Sequence, residues 1–136
     1  MQKLLILVGA IMLAGWLQSG ASLAAGAPGT TQTVSGGGVT VRATYLNPRT
    51  GENPRFQVAL DTHSVALDEF NLKTRAVLRD GRGNSFSPTK VENEGGGHHR
   101  KVIMIFPKLS PETKSIEVVI QDLAGVKERS FRWSVE

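Results

Sequence analysis

Val39-Thr40-Val41-Arg42-Ala43-Thr44-Tyr45 alternates apolar and polar side chains without a break. Successive side chains on an extended strand point to opposite faces. A period of two therefore describes a strand with one face in a core and the other in water. The same period returns where Phe56, Val58 and Leu60 alternate with Gln57, Ala59 and Asp61. It returns again for Ile116, Val118 and Ile120 within Ser115 to Asp122, and for Phe131, Trp133 and Val135 against Arg132, Ser134 and Glu136. Lys101-Val102-Ile103-Met104-Ile105-Phe106 is apolar on both faces and reads as a central strand.

Between these anchors the signals are weaker. A strand is expected from about Leu72 to Arg79, and another over Ser85 to Glu92, where Pro88 marks a sheet edge. Asp80-Gly81-Arg82-Gly83-Asn84 is a hairpin signal, because glycine reaches the positive φ that such turns need. Asn47 to Pro54, Asn93 to Gly97 and Pro107 to Lys114 read as loops, and Val65 to Phe70 fits either a short helical turn or a crossing between sheets. No amphipathic helix of useful length is present. About seven short strands with turns between them describe an all-β domain, an immunoglobulin-like β-sandwich over residues 39–136, with a small barrel as the alternative. The Cys-Trp-Cys signature of antibody domains is absent, so this expectation is architectural, and architecture does not assign function.

The N-terminus has its own organisation. Lys3 precedes an apolar run from Leu4 to Leu17, and small residues follow from Ser19 to Ala27. A short positive region, an apolar segment and small side chains at Ser22 and Ala24 form a Sec-type signal peptide over residues 1–24, cleaved after Ala24 or at the neighbouring Ala25. The apolar run is shorter than the roughly 20 residues that a spanning helix needs. The expected location is periplasmic or secreted, with no stable membrane span after cleavage. Residues 25–38 are polar and glycine-rich and read as a flexible leader.

Composition narrows the function classes. The 136-residue chain has no cysteine, which removes disulfides, thiolate catalysis, Cys-ligated zinc and a lipid-anchor cysteine together. The net charge is +4, and removal of Lys3 with the signal leaves 15 basic against 12 acidic residues. These are interspersed, without the basic stripe and aromatics of a nucleic-acid binder, so no nucleic-acid partner is expected. Neither a Gly-x-Ser-x-Gly elbow nor a His-Glu-x-x-His pair occurs, and the carboxylates at Asp68-Glu69 and Glu92/Glu94 read as solvated charges. A non-enzymatic module is the better reading, and a hydrolase with an unrecognised histidine site is the weaker one.

The three histidines are the candidate chemistry: His63, and the adjacent His98 and His99. In the usual sandwich topology the strand ending at Asp61–His63 pairs antiparallel with the strand starting at His99. With Leu60 and Met104 facing the core, that puts His63 and His99 on the outer face of one sheet; with Ile103 and Ile105 facing it instead, the assignment inverts. With Asp61 or Glu94 near, these imidazoles are candidate ligands for zinc or copper(II), while the lone Met104 of the mature chain argues against copper(I). The alternative is that the histidines bond to loop backbone, with Arg100 bracing the glycine-rich turn. Gly95-Gly96-Gly97 could also form an anion nest, though a flexible linker is the simpler use.

Three segments carry a resemblance. Phe56-x-Val58-x-Leu60-Asp61-Thr62-His63-Ser64-Val65-x-Leu67-Asp68, Ala76-Val77-Leu78-Arg79 and Gly96-Gly97-His98-His99-Arg100, with Asn47-Pro48 and Phe106-Pro107, resemble a group of small secreted bacterial and archaeal domains of unknown function. The resemblance spans most of residues 39–136 and implies an exported β domain, but no activity, cofactor or site. From the sequence the expectation is an exported binding or interaction module. Its partner would be an envelope protein or another cell-surface partner, and no cofactor is expected beyond the candidate zinc or copper(II).

Overall fold

A computed structural model describes residues 30–48 and 51–135. The expected signal peptide, its cleavage site, the first part of the leader and Glu136 lie outside the described residues. The strands are β1 (Thr31–Gly36), β2 (Val39–Tyr45), β3 (Arg55–Thr62), β4 (Ala76–Asp80), β5 (Ser85–Phe86), β6 (Lys90–Gly95), β7 (His99–Ile105), β8 (Ser115–Leu123) and β9 (Val126–Ser134). A 3-10 turn (Leu67–Glu69) and a one-turn helix α1 (Leu72–Arg75) join β3 to β4. No helix among the described residues is long and apolar enough to cross a membrane.

Two antiparallel sheets stack face to face, one ordered β1-β2-β3-β7-β6 and the other β5-β4-β8-β9. Without β1, the orders β2-β3-β7-β6 and β5-β4-β8-β9 reproduce the arrangement of immunoglobulin constant-type domains, with β5 as a short extra edge. The alternating residues fill the space between the sheets. Val41, Ala43, Phe56, Val58 and Leu60 enter from one side, and Ile120, Phe131 and Trp133 from the other. Phe56 is the centre of this contact, with ring centroids 4.6 Å from Tyr45, 5.3 Å from Trp133 and 5.7 Å from Phe106. Such aromatic pairs add roughly 0.5–1.5 kcal/mol each beyond the area they bury. Interior β7 buries Val102 and Met104 inward and Ile103 on the outer face, as its two-sided apolar run requires.

The structure corrects the sequence reading at four places. Thr31–Gly36, placed in a flexible leader, is edge strand β1, paired in register with β2 from Thr31↔Thr44 to Gly36↔Val39. The strand expected from Leu72 begins as α1, because Asn71 caps that turn with its side chain on the Lys73 amide, and extended structure starts at Ala76. The strand expected over Ser85 to Glu92 is two strands in different sheets, with the chain crossing at buried Pro88. Asn93 to Gly95, read as loop, belong to β6, which carries a bulge between Asn93 and Gly95.

Candidate functional site

The pairing of β3 with β7 sets Asp61 opposite His99 and Leu60 opposite Arg100. Leu60 is in the core, so Arg100 points inward and Asp61 and His99 share the outer face. The segments Leu60-Asp61-Thr62-His63 and His98-His99-Arg100 therefore meet at this register. Asp61 Oδ1 lies 2.6 Å from His99 Nδ1, and Asp61 Oδ2 lies 2.6 Å from Arg42 Nη2 on neighbouring β2. An ionised carboxylate only accepts, so Nδ1 carries the proton and donates to it. In the neutral ring this leaves Nε2 as the lone-pair nitrogen. The three side chains are 52% (Arg42), 27% (Asp61) and 75% (His99) exposed. The hydrogen bond from His99 lowers the Asp61 pKa most, burial opposes it, and the charges of Arg42 and His99 lower it further, so the carboxyl sits below its ordinary value.

Thr62 fixes the end of this row. Its amide donates to the His98 carbonyl at 3.0 Å, and its hydroxyl donates to the Gly38 carbonyl at 2.7 Å. The same hydroxyl accepts from the amides of Ser64 and Val65, which turns the chain away from the sheet directly after β3. His63 lies in that turn, exposed, and His98 lies exposed in the β6–β7 turn, so neither continues the strand row that holds His99. Of the three candidate metal ligands, only His99 is joined to another polar candidate, Asp61. Glu94 stands at the bulge of β6, an edge strand, and β7 separates it from β3 and Asp61. Among the described residues no group of three or more His, Asp or Glu is placed to hold a metal ion.

Arg100 does not aim into the glycine turn. It is 8% exposed and donates through Nη1 to the carbonyls of Leu67 and Phe70, and through Nη2 to Asn93 Oδ1. It braces the 3-10 turn against the β6–β7 hairpin. Gly96 faces the Asp68 carboxylate, which stands 3.2 Å from where a Cβ would be. A carboxylate in that position opposes an anion nest there.

Around the Asp61 row, the outer face of the five-stranded sheet is mostly polar, with Ile103 and Ile105 further along β7. Register places Ser35, Thr40, Asp61 and His99 in one row, and Thr33, Arg42, Ala59 and Lys101 in the next. Four cationic side chains on this face, Arg42, Arg55, Lys90 and Lys101, stand against two anionic ones, Asp61 and Glu92. Sequence reasoning paired His99 with His63 and named Asp61 or Glu94 as a neighbour; the structure gives His99 to Asp61, leaves His63 in the turn, and adds Arg42, which the sequence reading missed. The signal was there, since an arginine at the centre of an alternating strand must face water. Its diagonal reach to Asp61 needs the β2–β3 register, which a single sequence does not state. Comparison with protein-family models, with characterised proteins and with solved structures gives no match at all.

Proposed function

We propose that this chain is an exported, non-enzymatic binding module that meets an acidic partner protein of the cell envelope through the outer face of its five-stranded sheet. The observation that carries this reading is the hydrogen-bonded group Arg42–Asp61–His99. Two hydrogen bonds join side chains from three strands on a rigid sheet, so their exposed ends are ordered before any partner arrives. Pre-ordering removes part of the side-chain entropy that binding otherwise costs, about 0.5–1.5 kcal/mol for each long side chain. The cationic excess on the same face supplies complementarity to an acidic surface and speeds encounter. Export through the signal peptide would put the module where such a partner is found.

Binding of the purified mature chain to isolated envelope vesicles tests this. Saturable binding that weakens with salt, disappears when the vesicles are treated with protease, and falls about tenfold or more in Arg42→Glu/Lys101→Glu is expected. Lys114→Glu/Lys127→Glu, an equal charge change beside the other sheet, is expected to bind as the unaltered chain does. Full binding by the double variant would overturn the assignment of the face.

One observation favours a second reading, zinc or copper(II) binding by His99 with His63 and His98. A histidine whose Nδ1–H is held by a carboxylate and whose Nε2 faces solvent is the arrangement that outer carboxylates give to metal-bound imidazoles. Asp61 then orients His99 rather than acting as a ligand. Calorimetric titration with zinc and copper(II), beside His63→Ala/His99→Ala, decides it. Saturable binding that the variant loses supports the metal reading, and its absence retires it.

A further inference from the structure

The opposite sheet carries a second arrangement, independent of the face proposed above. Register aligns Arg79 of β4, Glu117 of β8 and Arg132 of β9 in one row across its outer surface. Ser115 and Ser134 pair in the next row, and Gly81 follows β4 beside Ser115. Long side chains on one row and small ones on the next leave a depression of about 360 Å³ lined by Arg79, Asp80, Gly81, Ser115, Glu117 and Arg132. Gly81 forms part of its wall, and a Cβ there would lie 2.9 Å from Ser115 Oγ.

The donors in the depression are unevenly used. Glu117, 16% exposed, takes the Nε–H of Arg132 and, at 3.4 Å, Nη1 of Arg79. Arg79 turns Nη2 to Glu128 at 3.3 Å, so both its terminal nitrogens are engaged. Arg132 is held by Nε alone, and its Nη1 and Nη2 meet no carboxylate among the described residues. Asp80 adds little demand for them. Its Oδ1 accepts from the amides of Arg82 and Asn84, and its Oδ2 from Asn84 Nδ2. Glu117 thus fixes the plane of a guanidinium whose outer edge offers two parallel N–H bonds beside the Ser115 hydroxyl. That edge matches a planar carboxylate, and a guanidinium binds one bidentately where an ammonium cannot.

We infer that the depression over Arg79, Glu117 and Arg132 is a binding site for a carboxylate, carried by an acidic side chain or chain terminus of a peptide. NMR titration of the mature chain at constant ionic strength tests it, following the Arg132 Nε–H and the amides of Ser115 and Glu117. Glutarate and an acidic pentapeptide are the probes, with inorganic phosphate as the competitor. Saturable shifts confined to these signals are expected, with the pentapeptide binding more tightly than glutarate. Arg132→Gln should weaken binding about tenfold or more, and Arg132→Lys should also weaken it. Lys127→Gln removes the same charge from the same strand and should leave binding unchanged. Amide spectra of each variant establish that it is folded before its titration is read. No saturable shift in the unaltered chain, equal shifts in Arg132→Gln, or preference for phosphate would each overturn the carboxylate site. None of these outcomes bears on the five-stranded face, whose residues lie on the other sheet.

Discussion

Arg129 lies on the inward side of β9 in line with Phe131 and Trp133, and is 1% exposed. No carboxylate meets it among the described residues. Its Nη1 donates to the Leu123 carbonyl at 2.7 Å and its Nη2 to the Gly36 carbonyl at 2.5 Å, while its buried Nε has no partner. Burial lowers its pKa, since low-dielectric surroundings disfavour the charge. The cation persists because it supplies donors to two carbonyls at the join between the sheets. Arg129→Ala removes both donors and leaves a cavity, and should lower stability by about 2–4 kcal/mol in denaturant unfolding. Arg129→Met keeps the volume and removes the desolvation cost, so it should lose much less. Asp61 gives a pH-dependent counterpart. Its folded pKa is depressed, so its contribution is present above the ordinary carboxylate value and is lost as pH falls through the lower, folded one. Asp61→Asn should therefore flatten part of the acid limb of the stability curve below about pH 4 and leave its shape at neutral pH unchanged. The pair is exposed enough to keep the effect within about 1 kcal/mol.

β1 is the element whose formation its own composition explains least. Its side chains are exposed or half-buried throughout, and only Val34 packs on the core. Tethers hold it. The Gln32 side-chain amide exchanges hydrogen bonds with the backbone of Arg132 in both directions, standing in for a neighbouring strand on the open edge of β9. Trp133 Nε1 donates to the Thr30 carbonyl at 2.8 Å, and Arg129 reaches Gly36. The hairpin to β2 turns at Gly37 (φ 61°) and Gly38 (φ 77°), and a Cβ at Gly37 would lie 2.1 Å from the Ala124 carbonyl oxygen. Gly37→Ala should cost more than about 1 kcal/mol in thermal unfolding, because the clash is with backbone and not with a movable side chain. Gln32→Ala should cost about 1 kcal/mol and raise hydrogen exchange at the Arg132 amide. A polar stretch with Gly36-Gly37-Gly38 looks like a leader because hydrophobic period, the strongest strand signal, is missing from an edge strand held by side-chain bonds. The short helix at Leu72 and the crossing at Pro88 escaped for a related reason. Both are local turns in which capping and sheet exchange override the period-two pattern on either side.

Across the whole molecule, the two sheets differ in how they present charge. The four-stranded sheet ties its arginines to Glu117 and Glu128 over buried Val119, whereas the five-stranded sheet keeps Arg55 and Lys101 in excess of the Arg42–Asp61 and Lys90–Glu92 pairs. Its outer edge, β6, is short, bulged and charged at Lys90, Glu92 and Glu94, which discourages uncontrolled strand addition and leaves the outer face as the contact surface. The sandwich itself was legible from alternation, and antiparallel pairing brought the end of β3 beside the start of β7; that His99 meets Asp61 and not His63 depends on the turn that Thr62 makes after β3. The roles of Arg42, Arg100 and Arg129 were not. An arginine reads the same in a strand whether it faces water, a loop carbonyl or the core, and only register and burial distinguish these. The face is tested most directly by cross-saturation from protonated envelope vesicles to the perdeuterated mature chain. Signal loss concentrated at the amides of Thr40, Arg42, Asp61, His99 and Lys101 is the expected result. Loss concentrated on β4, β8 and β9, with the Asp61 row spared, would contradict it.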